Sequence, residues 1–338
     1  MTAHRVLLGD LLKATSRSFY LTLRVLPAAV RPQVGLAYLL ARTTDTIADT
    51  EIVSVQNRLE ALDNLRKRIL GESTAALEFG QLKEGCAQPA EKVLLERVED
   101  ALRLLDQTRE TDRVLIRDVL DVITSGQEMD LRRFGERKPG PIPALETEAE
   151  LDDYTYRVAG CVGEFWTRIC QAHLFPNAPV DMETMLCNGI RFGKGLQMVN
   201  ILRDIPRDLR NGRCYLPLQT LAAGGMTPDD LLSAENHSRL RPLYEKWLAL
   251  AEAHLATGWN YTNSLPAGQS RLRLACAWPI LIGVRTLQKL RTSNPLEPAR
   301  AVKVTRPEVY RIMARSTLCL FSRAAWRDQF ECELKQKT

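Results

Sequence analysis

Two short stretches of the sequence set acidic side chains one helical turn apart among apolar residues. The stretch "YLLARTTDTIAD" carries Asp45 and Asp49, and "QMVNILRDIPRD" carries Asp204 and Asp208. Because residues four positions apart lie on the same face of a helix, the two carboxylates of each pair project together. A carboxylate left unpaired among apolar groups is unfavourable, so a cation held between the carboxylates is one arrangement that explains each pair.

Further polar side chains extend both acidic faces. Tyr38 and Arg42 precede the first pair on its own face, and Gln197 and Asn200 precede the second. Every donor is oxygen, with no His or Cys in either stretch, which favours Mg²⁺ or Mn²⁺ over Zn²⁺. Together with Arg42 and Arg203, such a site is typical of a clamp for a diphosphate, and it would assist the departure of pyrophosphate from carbon.

The residues alone leave two other interpretations open. Acidic pairs four residues apart are common on solvated helix faces, and the pair Glu96 and Asp100 sits among other charges in that way. The acids of the two stretches could instead form ion pairs in the core with Arg42 and Arg203. A cation site, solvated pairs and core ion pairs therefore all remain hypotheses at this point.

Composition excludes several classes of protein. The chain has 338 residues and a net charge of +5, which is too weakly basic to indicate nucleic-acid binding. Asp10 interrupts the only early apolar run, so no secretory signal is evident, and the apolar run at 274–284 is too short to span a bilayer. Eight Cys without a CxxC pair and four scattered His argue against zinc and against a disulfide scaffold. These features predict a reduced, cytoplasmic protein.

Helical periodicity dominates the chain, whereas strand signals are nearly absent. In "LLERVEDALRLLDQ" one apolar stripe predicts one helix, and it is formed by Leu94, Leu95, Val98, Leu102 and Leu105. Similar stripes predict helices over 30–48, 55–70, 112–133, 151–173, 183–205, 240–262, 273–291 and 307–330. No break is long enough to be a linker. We therefore predict a single all-α domain over residues 1–338, with a core from about 9 to 320 and an apolar cavity between its helices.

Several motifs in order give the chain a resemblance to a known family. They are "TSRSFY" at 15–20, "DTIAD" at 45–49, "YTYRVAGCVGE" at 154–164, "NILRDIPRD" at 200–208 and "NGRCYLP" at 211–217. On these motifs the chain resembles the squalene and phytoene synthases, all-α enzymes that join two isoprenoid diphosphates head to head. The resemblance implies an isoprenoid-synthase-like helix bundle around a central apolar cavity.

The resemblance also implies a role for each matching residue. The implied Mg²⁺ ligands, direct or through water, are Asp45, Asp49, Asn200, Asp204 and Asp208. The implied substrate-binding residues are Arg17, Ser18, Phe19, Tyr38, Arg42, Gln197, Arg203, Arg213 and Tyr215. The sequence departs from many relatives at Arg207, which replaces an acid, and at Pro206, which favours a kink before Asp208.

A tyrosine is implied to steer the first step. Some relatives have Tyr immediately before Val158, where this chain has Arg157, so the role passes to Tyr156, with Tyr154 as a possible helper. Either tyrosine could equally be a core aromatic residue with a satisfied hydroxyl.

The C-terminal third resembles squalene synthases in particular. "CAWPILIGVRTLQKL" at 276–290 and "ARAVKVTRPEVYRIM" at 299–313 match a helix followed by a basic segment linked to NADPH, which implies Lys303 and Arg306 as cofactor contacts. No GxGxxG fingerprint supports that cofactor independently. The implied activity is condensation of two farnesyl diphosphates to presqualene diphosphate, then reduction to squalene. The alternatives are an NADPH-independent dehydrosqualene or phytoene synthase, a terpene cyclase, and a non-catalytic all-α scaffold.

The implied product also bears on location and partners. Squalene is so apolar that it must leave into lipid, which predicts reversible contact with the inner face of a membrane, although no sequence patch for this contact stands out. We expect farnesyl diphosphate as the ligand, with no nucleic acid and no obligate protein partner.

Overall fold

The chain folds as an all-α protein. The computed structural model describes residues 6–16, 19–136, 139–297 and 302–335. Over these residues no β-strand forms, and the extended segments contribute only an isolated parallel bridge between Ala144 and Cys214. The all-α prediction is thus confirmed.

Backbone contacts divide the chain into two compact units. The first comprises residues 1–136 and 165–177, and the second comprises 137–164 and 178–338. The interpretation of the chain as a single domain stays a prediction.

The first unit combines short helices with a few long ones. After a π-helical turn at Val6–Leu11, its helices are α1 (Leu12–Ser16), α2 (Phe19–Val25), α3 (Arg31–Asp49), α4 (Val55–Leu70), α5 (Gly80–Glu84), α6 (Pro89–Glu96), α7 (Val98–Asp106) and α8 (Glu110–Phe134). Helices α3 and α4 both pack against α8. In α3, Leu36, Leu39, Leu40 and Ile47 are at most 1% exposed, so burial of one apolar face fixes this helix in the core.

Local signals end the helices of this unit where the sequence predicts, with one exception. Ser54 caps α4 by accepting a hydrogen bond from the Asn57 amide, and Gly71 ends it with a positive φ of 81°. The single helix predicted through Leu94 and Leu105 is wrong. The chain breaks at Arg97, whose φ of −103° and ψ of 8° leave the helical region, so α6 and α7 are separate helices.

The second unit holds the longest helices. It begins with α9 (Glu148–Thr155), a π-helical turn at Tyr156–Gly160 and the start of α10 (Cys161–Leu174), whose residues from 165 onward belong to the first unit. Its other helices are α11 (Met182–Arg210), α12 (Leu218–Ala223), 3₁₀ turns at Asp229–Leu232 and Ala234–Asn236, α13 (His237–Ser264), α14 (Ser270–Thr292), α15 (Arg306–Cys319), α16 (Arg323–Arg327) and α17 (Gln329–Lys335).

Helix α11 lies close to α13 because small residues face the contact. A Cβ placed on Gly195 would lie 2.9 Å from His254 Cβ and 3.1 Å from the Leu255 backbone nitrogen, so a larger residue would push the helices apart. Beyond this contact α11 continues through Pro206 to Arg210. Close packing against α13 therefore holds the middle of α11 and fixes the positions of the polar residues that follow along the helix.

The C-terminal helix predicted over 307–330 is also wrong. The chain turns after α15, with backbone hydrogen bonds from Phe321 N to Leu318 O and from Ser322 N to Cys319 O at 3.3 and 3.1 Å. Ser322 then caps α16 by accepting a hydrogen bond from the Ala325 amide. Throughout the described ranges, no helix is both long and apolar enough to cross a membrane, and all eight cysteines are free thiols.

Candidate active site

The first acidic pair lies on one face of α3, as the spacing predicts. Asp49 is exposed, and the Asp45 side chain is 47% exposed, whereas Thr46 and Ile47 between them are buried. The threonines of this stretch are buried without loss of hydrogen bonds, because the hydroxyls of Thr43 and Thr46 donate to the carbonyls of Leu39 and Arg42. The local sequence therefore buries the back of the helix and presents its carboxylates on the other side.

Asp45 lies in an environment that disfavours its charge. Burial and the nearby carboxylate of Asp49 raise the pKa of Asp45 to about 6, against the opposing effects of Arg42 and Gln127. Gln127 Nε2 of α8 donates to Asp45 Oδ1 at 2.5 Å, while Arg42 Nη1 stays 3.7 Å from Asp45 Oδ2. Arg42 is shared, because its Nη2 contacts Glu91 Oε1 at 2.5 Å. Asp45 thus depends on the Gln127 amide and on a guanidinium that Glu91 also contacts.

These residues fit a hard divalent cation. Two carboxylates raise each other's pKa when they meet without a cation, and a cation between them removes the repulsion. Among the residues whose placement is described, no three His, Cys, Asp or Glu converge on one point. Mg²⁺ commonly takes one or two carboxylates and completes its shell with water and substrate phosphate. The oxygen donors of Asp45 and Asp49 therefore fit Mg²⁺ shared with a diphosphate.

The N-terminal motif is only partly described. Tyr38 of α3 donates its hydroxyl hydrogen bond to the Thr15 carbonyl at 3.0 Å, which ties α1 to the acidic helix. Arg17 and Ser18 lie outside the described residues, and so does the side chain of Phe19, whose backbone begins α2. Their implied roles at a diphosphate stay predictions.

The second polar row lies along α11. Asn200 Nδ2 contacts Gln197 Oε1 at 3.4 Å, so these two side chains are neighbours as their spacing predicts. Arg203 Nε and Nη2 form two hydrogen bonds to Asp204, at 2.8 and 2.6 Å, which fix the carboxylate and the guanidinium in one plane. An ion pair with Arg203 is therefore present for Asp204, but it is not a core pair, because the two side chains are 33% and 29% exposed.

Asp208 contacts the segment that follows α11 and shares a cavity with it. Gly212, with a φ of 73°, turns the chain back, and the Arg213 amide donates to the Asp208 carbonyl at 2.9 Å. Asp208, Arg213 and Tyr215 line one small cavity together with the apolar side chains of Ile201, Ile205, Leu209 and Leu216. Pro206 leaves Asp208 on this wall, while Arg207 is exposed. The structure thus brings together three of the predicted substrate and metal residues.

The two candidate tyrosines occupy different environments. Tyr154 is 7% exposed, and its ring stacks on Tyr215 with centroids 4.8 Å apart. Tyr156 is half-buried in the π-helical turn, with the Lys194 ammonium 5.8 Å from its ring centroid. Burial, the charge of Glu164 and a hydrogen bond to Glu164 raise the pKa of the Tyr156 hydroxyl, so this group stays protonated at neutral pH.

The candidate cofactor residues are both at the surface. Lys303 is exposed in the segment before α15, and its carbonyl accepts a hydrogen bond from Lys289 Nζ at 3.1 Å. Arg306 is exposed in the first turn of α15. Exposed cations can contact phosphates, and the NADPH role that the resemblance gives them stays a prediction.

Sequence reasoning missed the residues that hold the candidates in place. Glu91, Gln127 and Lys194 are remote in sequence from the groups that they contact, by 49 residues for Glu91 and 82 for Gln127, whereas Glu164 lies closer to Tyr156. Gln127 carried the clearest signal, since an amide on the buried face of a long helix needs a polar partner.

The chain is similar in sequence and in fold to known proteins. The sequence model of the squalene/phytoene synthase family matches residues 12–308. A presqualene diphosphate synthase from Zymomonas mobilis is 33% identical over 259 residues, which cover 75% of this chain and 74% of that protein. The solved complex of TcSQS with the ligand BPH1237 superposes with a TM-score of 0.77 at 23% identity, covering 98% of this chain and 96% of the other.

Some relatives are longer proteins. A bifunctional lycopene cyclase/phytoene synthase from Blakeslea trispora is 29% identical over 321 residues, which cover 90% of this chain but 48% of that protein. The chain thus spans about half the length of this relative. The extent of the family match and the similarity to the Zymomonas protein establish that the chain belongs to the squalene/phytoene synthase family, whose members are prenyltransferase-type enzymes.

Proposed function

We propose that this protein condenses two farnesyl diphosphates head to head into presqualene diphosphate and, with NADPH, reduces that intermediate to squalene. The observation that carries the proposal is the carboxylate pair that Asp45 and Asp49 form on one face of α3, in a family member whose 33% identical relative is a presqualene diphosphate synthase. The residues of α11 support it, because they add a second row of oxygen donors with a fixed guanidinium.

In this proposal the carboxylates hold the metal and the basic groups hold the diphosphate. The Mg²⁺ ligands are Asp45, Asp49, Asn200, Asp204 and Asp208, with Mn²⁺ as a possible substitute. When bound, the metal supplies positive charge to the leaving pyrophosphate oxygens. The residues proposed to contact diphosphate are Arg17, Ser18, Arg42, Gln197, Arg203, Arg213 and Tyr215. Arg203 also orients Asp204, and Gln127 orients Asp45.

The protein groups also control the carbocation and the proton. After the C–O bond breaks, the double bond of the second farnesyl group attacks the allylic cation, and loss of a proton closes the cyclopropane. Because the hydroxyl of Tyr156 stays protonated and is hydrogen-bonded to Glu164, it steers this step as a neutral phenol rather than as a resident phenolate base. Behind its own carboxylates, each of the two helices buries an apolar face within its own unit.

The reductive step is a separate part of the proposal. It assigns Lys303 and Arg306 to the phosphates of NADPH, on the resemblance to squalene synthases. A second candidate function ends at presqualene diphosphate or at an NADPH-independent triene, and the names of two relatives, a presqualene diphosphate synthase and a bifunctional phytoene synthase, favour keeping it.

Product analysis separates these possibilities. Purified protein is incubated with labelled farnesyl diphosphate and Mg²⁺, with and without NADPH, and products are resolved by mass spectrometry. We expect presqualene diphosphate without NADPH and squalene only with it. Presqualene diphosphate under both conditions overturns the reductive step, and a triene under both conditions indicates a dehydrosqualene synthase. No product from farnesyl or longer prenyl diphosphates, with no Mg²⁺ binding, indicates a non-catalytic scaffold.

A further inference from the structure

The turn between α15 and α16 exposes large apolar side chains. Leu318 is 71% exposed and Phe321 is 90% exposed, the latter being the most exposed large apolar residue among those described. Two backbone hydrogen bonds close the turn, from Phe321 N and Ser322 N to the carbonyls of Leu318 and Cys319. A single exposed apolar residue is ordinary, but two at the apex of one closed turn form a surface that water solvates poorly. We call residues 318–321 the apolar tip.

The apolar tip projects from a well-packed base. On the other side of α15, Ile312 and Ser316 are 4% and 0% exposed, and the Ser316 hydroxyl donates to the Ile312 carbonyl at 2.6 Å. After the turn, Trp326 is 4% exposed and stacks on Trp259, with ring centroids 5.4 Å apart. Because both flanks are anchored in the core, the outward position of Phe321 is set by the fold.

Arginines flank the apolar tip on both sides along the chain. Residues 309–327 contain four Arg and no acid, and the acids Asp328, Glu331 and Glu333 follow them. Before this segment, Glu308 is paired with Lys289 at 2.7 Å and Arg285 at 3.2 Å. Arg311, Arg323 and Arg327 are all exposed.

We propose that the apolar tip and its arginines dock the protein on an anionic lipid bilayer. Phe321 and Leu318 enter the interface between headgroups and acyl chains, and Arg311, Arg323 and Arg327 contact lipid phosphates. An exposed aromatic residue flanked by basic side chains suits this boundary, where apolar and anionic groups meet. Docking rests on this surface alone, while its purpose, delivery of a hydrocarbon product into lipid, rests on the proposed function.

Charge and size both favour a bilayer over a second copy of the chain. Two copies meeting through this turn would bring the exposed Arg323 and Arg327 of each copy together, and like charges repel. A stable protein interface also buries roughly 800 Å² on each partner, whereas the apex offers two large apolar side chains. An anionic bilayer attracts the same charges and needs no large apolar area, because several weak contacts add up.

Vesicle flotation tests the docking surface. The probes are vesicles of phosphatidylcholine alone and vesicles with about one third phosphatidylglycerol, at low salt. We expect the wild type to float only with the anionic vesicles. The double variant Leu318→Ser/Phe321→Ser and the double variant Arg323→Gln/Arg327→Gln should each bind roughly tenfold more weakly. Leu232→Ser is the matched control, because Leu232 is 54% exposed in the same unit, outside the tip, and its variant should float as the wild type does.

A second measurement reports insertion directly. In Phe321→Trp, brominated lipids should quench more fluorescence than they do in the wild type, whereas a Trp that stays in water adds no quenching. Failure of the wild type to float, equal loss in Leu232→Ser, or absence of added quenching each overturns the proposal. A dimer that Phe321→Ser converts to a monomer assigns the surface to a second copy and also overturns it.

The outcomes are separable from those of the proposed function. Pyrophosphate release from farnesyl diphosphate in a single turnover does not require product delivery, so Leu318→Ser/Phe321→Ser should keep the wild-type rate in solution. Flotation without any turnover leaves the docking surface standing and removes the proposed function. Turnover without flotation overturns the docking surface and leaves the proposed function standing.

Discussion

The acidic residues of α3 and those of α11 are neutralised in different ways. On α3, Asp45 shares Arg42 with Glu91, and burial together with the charge of Asp49 raises the pKa of Asp45 to about 6. On α11, Arg203 makes two hydrogen bonds to Asp204. The surroundings of Asp45 therefore disfavour its charge, whereas Asp204 is already held in one orientation.

This difference suggests a division of tasks. A carboxylate pair with shared neutralisation gains most from a metal ion, because the ion removes a repulsion that the protein leaves in place. A carboxylate fixed by a fork of two hydrogen bonds loses less when metal is absent and gives the site its geometry. The predictions below break or sharpen this contrast, from the largest expected effect to the smallest.

Asp45→Asn should have the largest effect. The substitution removes one charge of the pair that we propose holds the metal, and we expect the rate of pyrophosphate release to fall by roughly 100- to 1,000-fold at saturating Mg²⁺. Asp63→Asn is the matched control, because Asp63 is also 47% exposed but pairs with Lys67 on a solvated face. The control should stay within about twofold of the wild type. An unchanged rate in Asp45→Asn would contradict the role of the first pair.

The packing behind α11 should make stability fall in acid. Burial, then the charges of Arg191 and Lys194, lower the pKa of His254 to about 4, and Arg191 Nε donates to His254 Nδ1. The unfolded chain, with a His pKa near 6.5, binds more protons, so the stability from neutral His254 is present above about pH 6.5 and lost towards pH 4. The loss is at most about 3 kcal/mol.

Urea unfolding at a series of pH values measures this loss. His254→Gln should flatten the stability profile between about pH 4 and 6.5 relative to the wild type. His237→Gln is the control, because His237 is exposed at the start of α13. An equal flattening in both variants, or in neither, would sink the assignment to His254.

Arg203→Lys should have a moderate effect. Lysine keeps the charge but cannot make two parallel hydrogen bonds, so Asp204 loses its fixed orientation, and we expect kcat/KM to fall by about tenfold. Arg291→Lys is the matched control, since Arg291 contacts Glu252 at 2.6 Å with similar exposure. If the control loses as much activity, the effect belongs to arginine in general rather than to the second row.

Gln127→Glu should have the smallest effect and sharpen the contrast most. A third carboxylate beside Asp45 adds repulsion in the metal-free protein, which should lower Tm by a few degrees, for a change of about 1 kcal/mol. Mg²⁺ should then raise Tm by more than it does in the wild type. Gln127→Leu removes the same hydrogen bond without adding charge, so an equally enhanced Mg²⁺ response in that variant would argue against a cation at Asp45.

The sequence predicted the elements that rest on local patterns. The apolar stripes located α3, α4, α8, α11, α13 and α14, and the spacing of four placed Asp45 and Asp49 on one face. The sequence did not predict tertiary contacts. Gln127 and Asp45, for example, are 82 positions apart, and no local pattern links them. The breaks at Arg97 and after Cys319 were missed for another reason: neither contains Gly or Pro, and the apolar spacing continues across both. The second of these breaks turns Phe321 out to solvent.

Cation binding is the most direct test of the two acidic motifs. Mn²⁺ binding can be followed by electron paramagnetic resonance in the presence of inorganic pyrophosphate, for the wild type, Asp45→Asn, Asp204→Asn and the matched controls Asp63→Asn and Glu252→Gln. We expect the wild type and both controls to bind Mn²⁺ only with pyrophosphate present, and each motif variant to bind at least about tenfold more weakly. Equal binding by all five proteins, or none by the wild type, would contradict a metal–diphosphate site at these carboxylates.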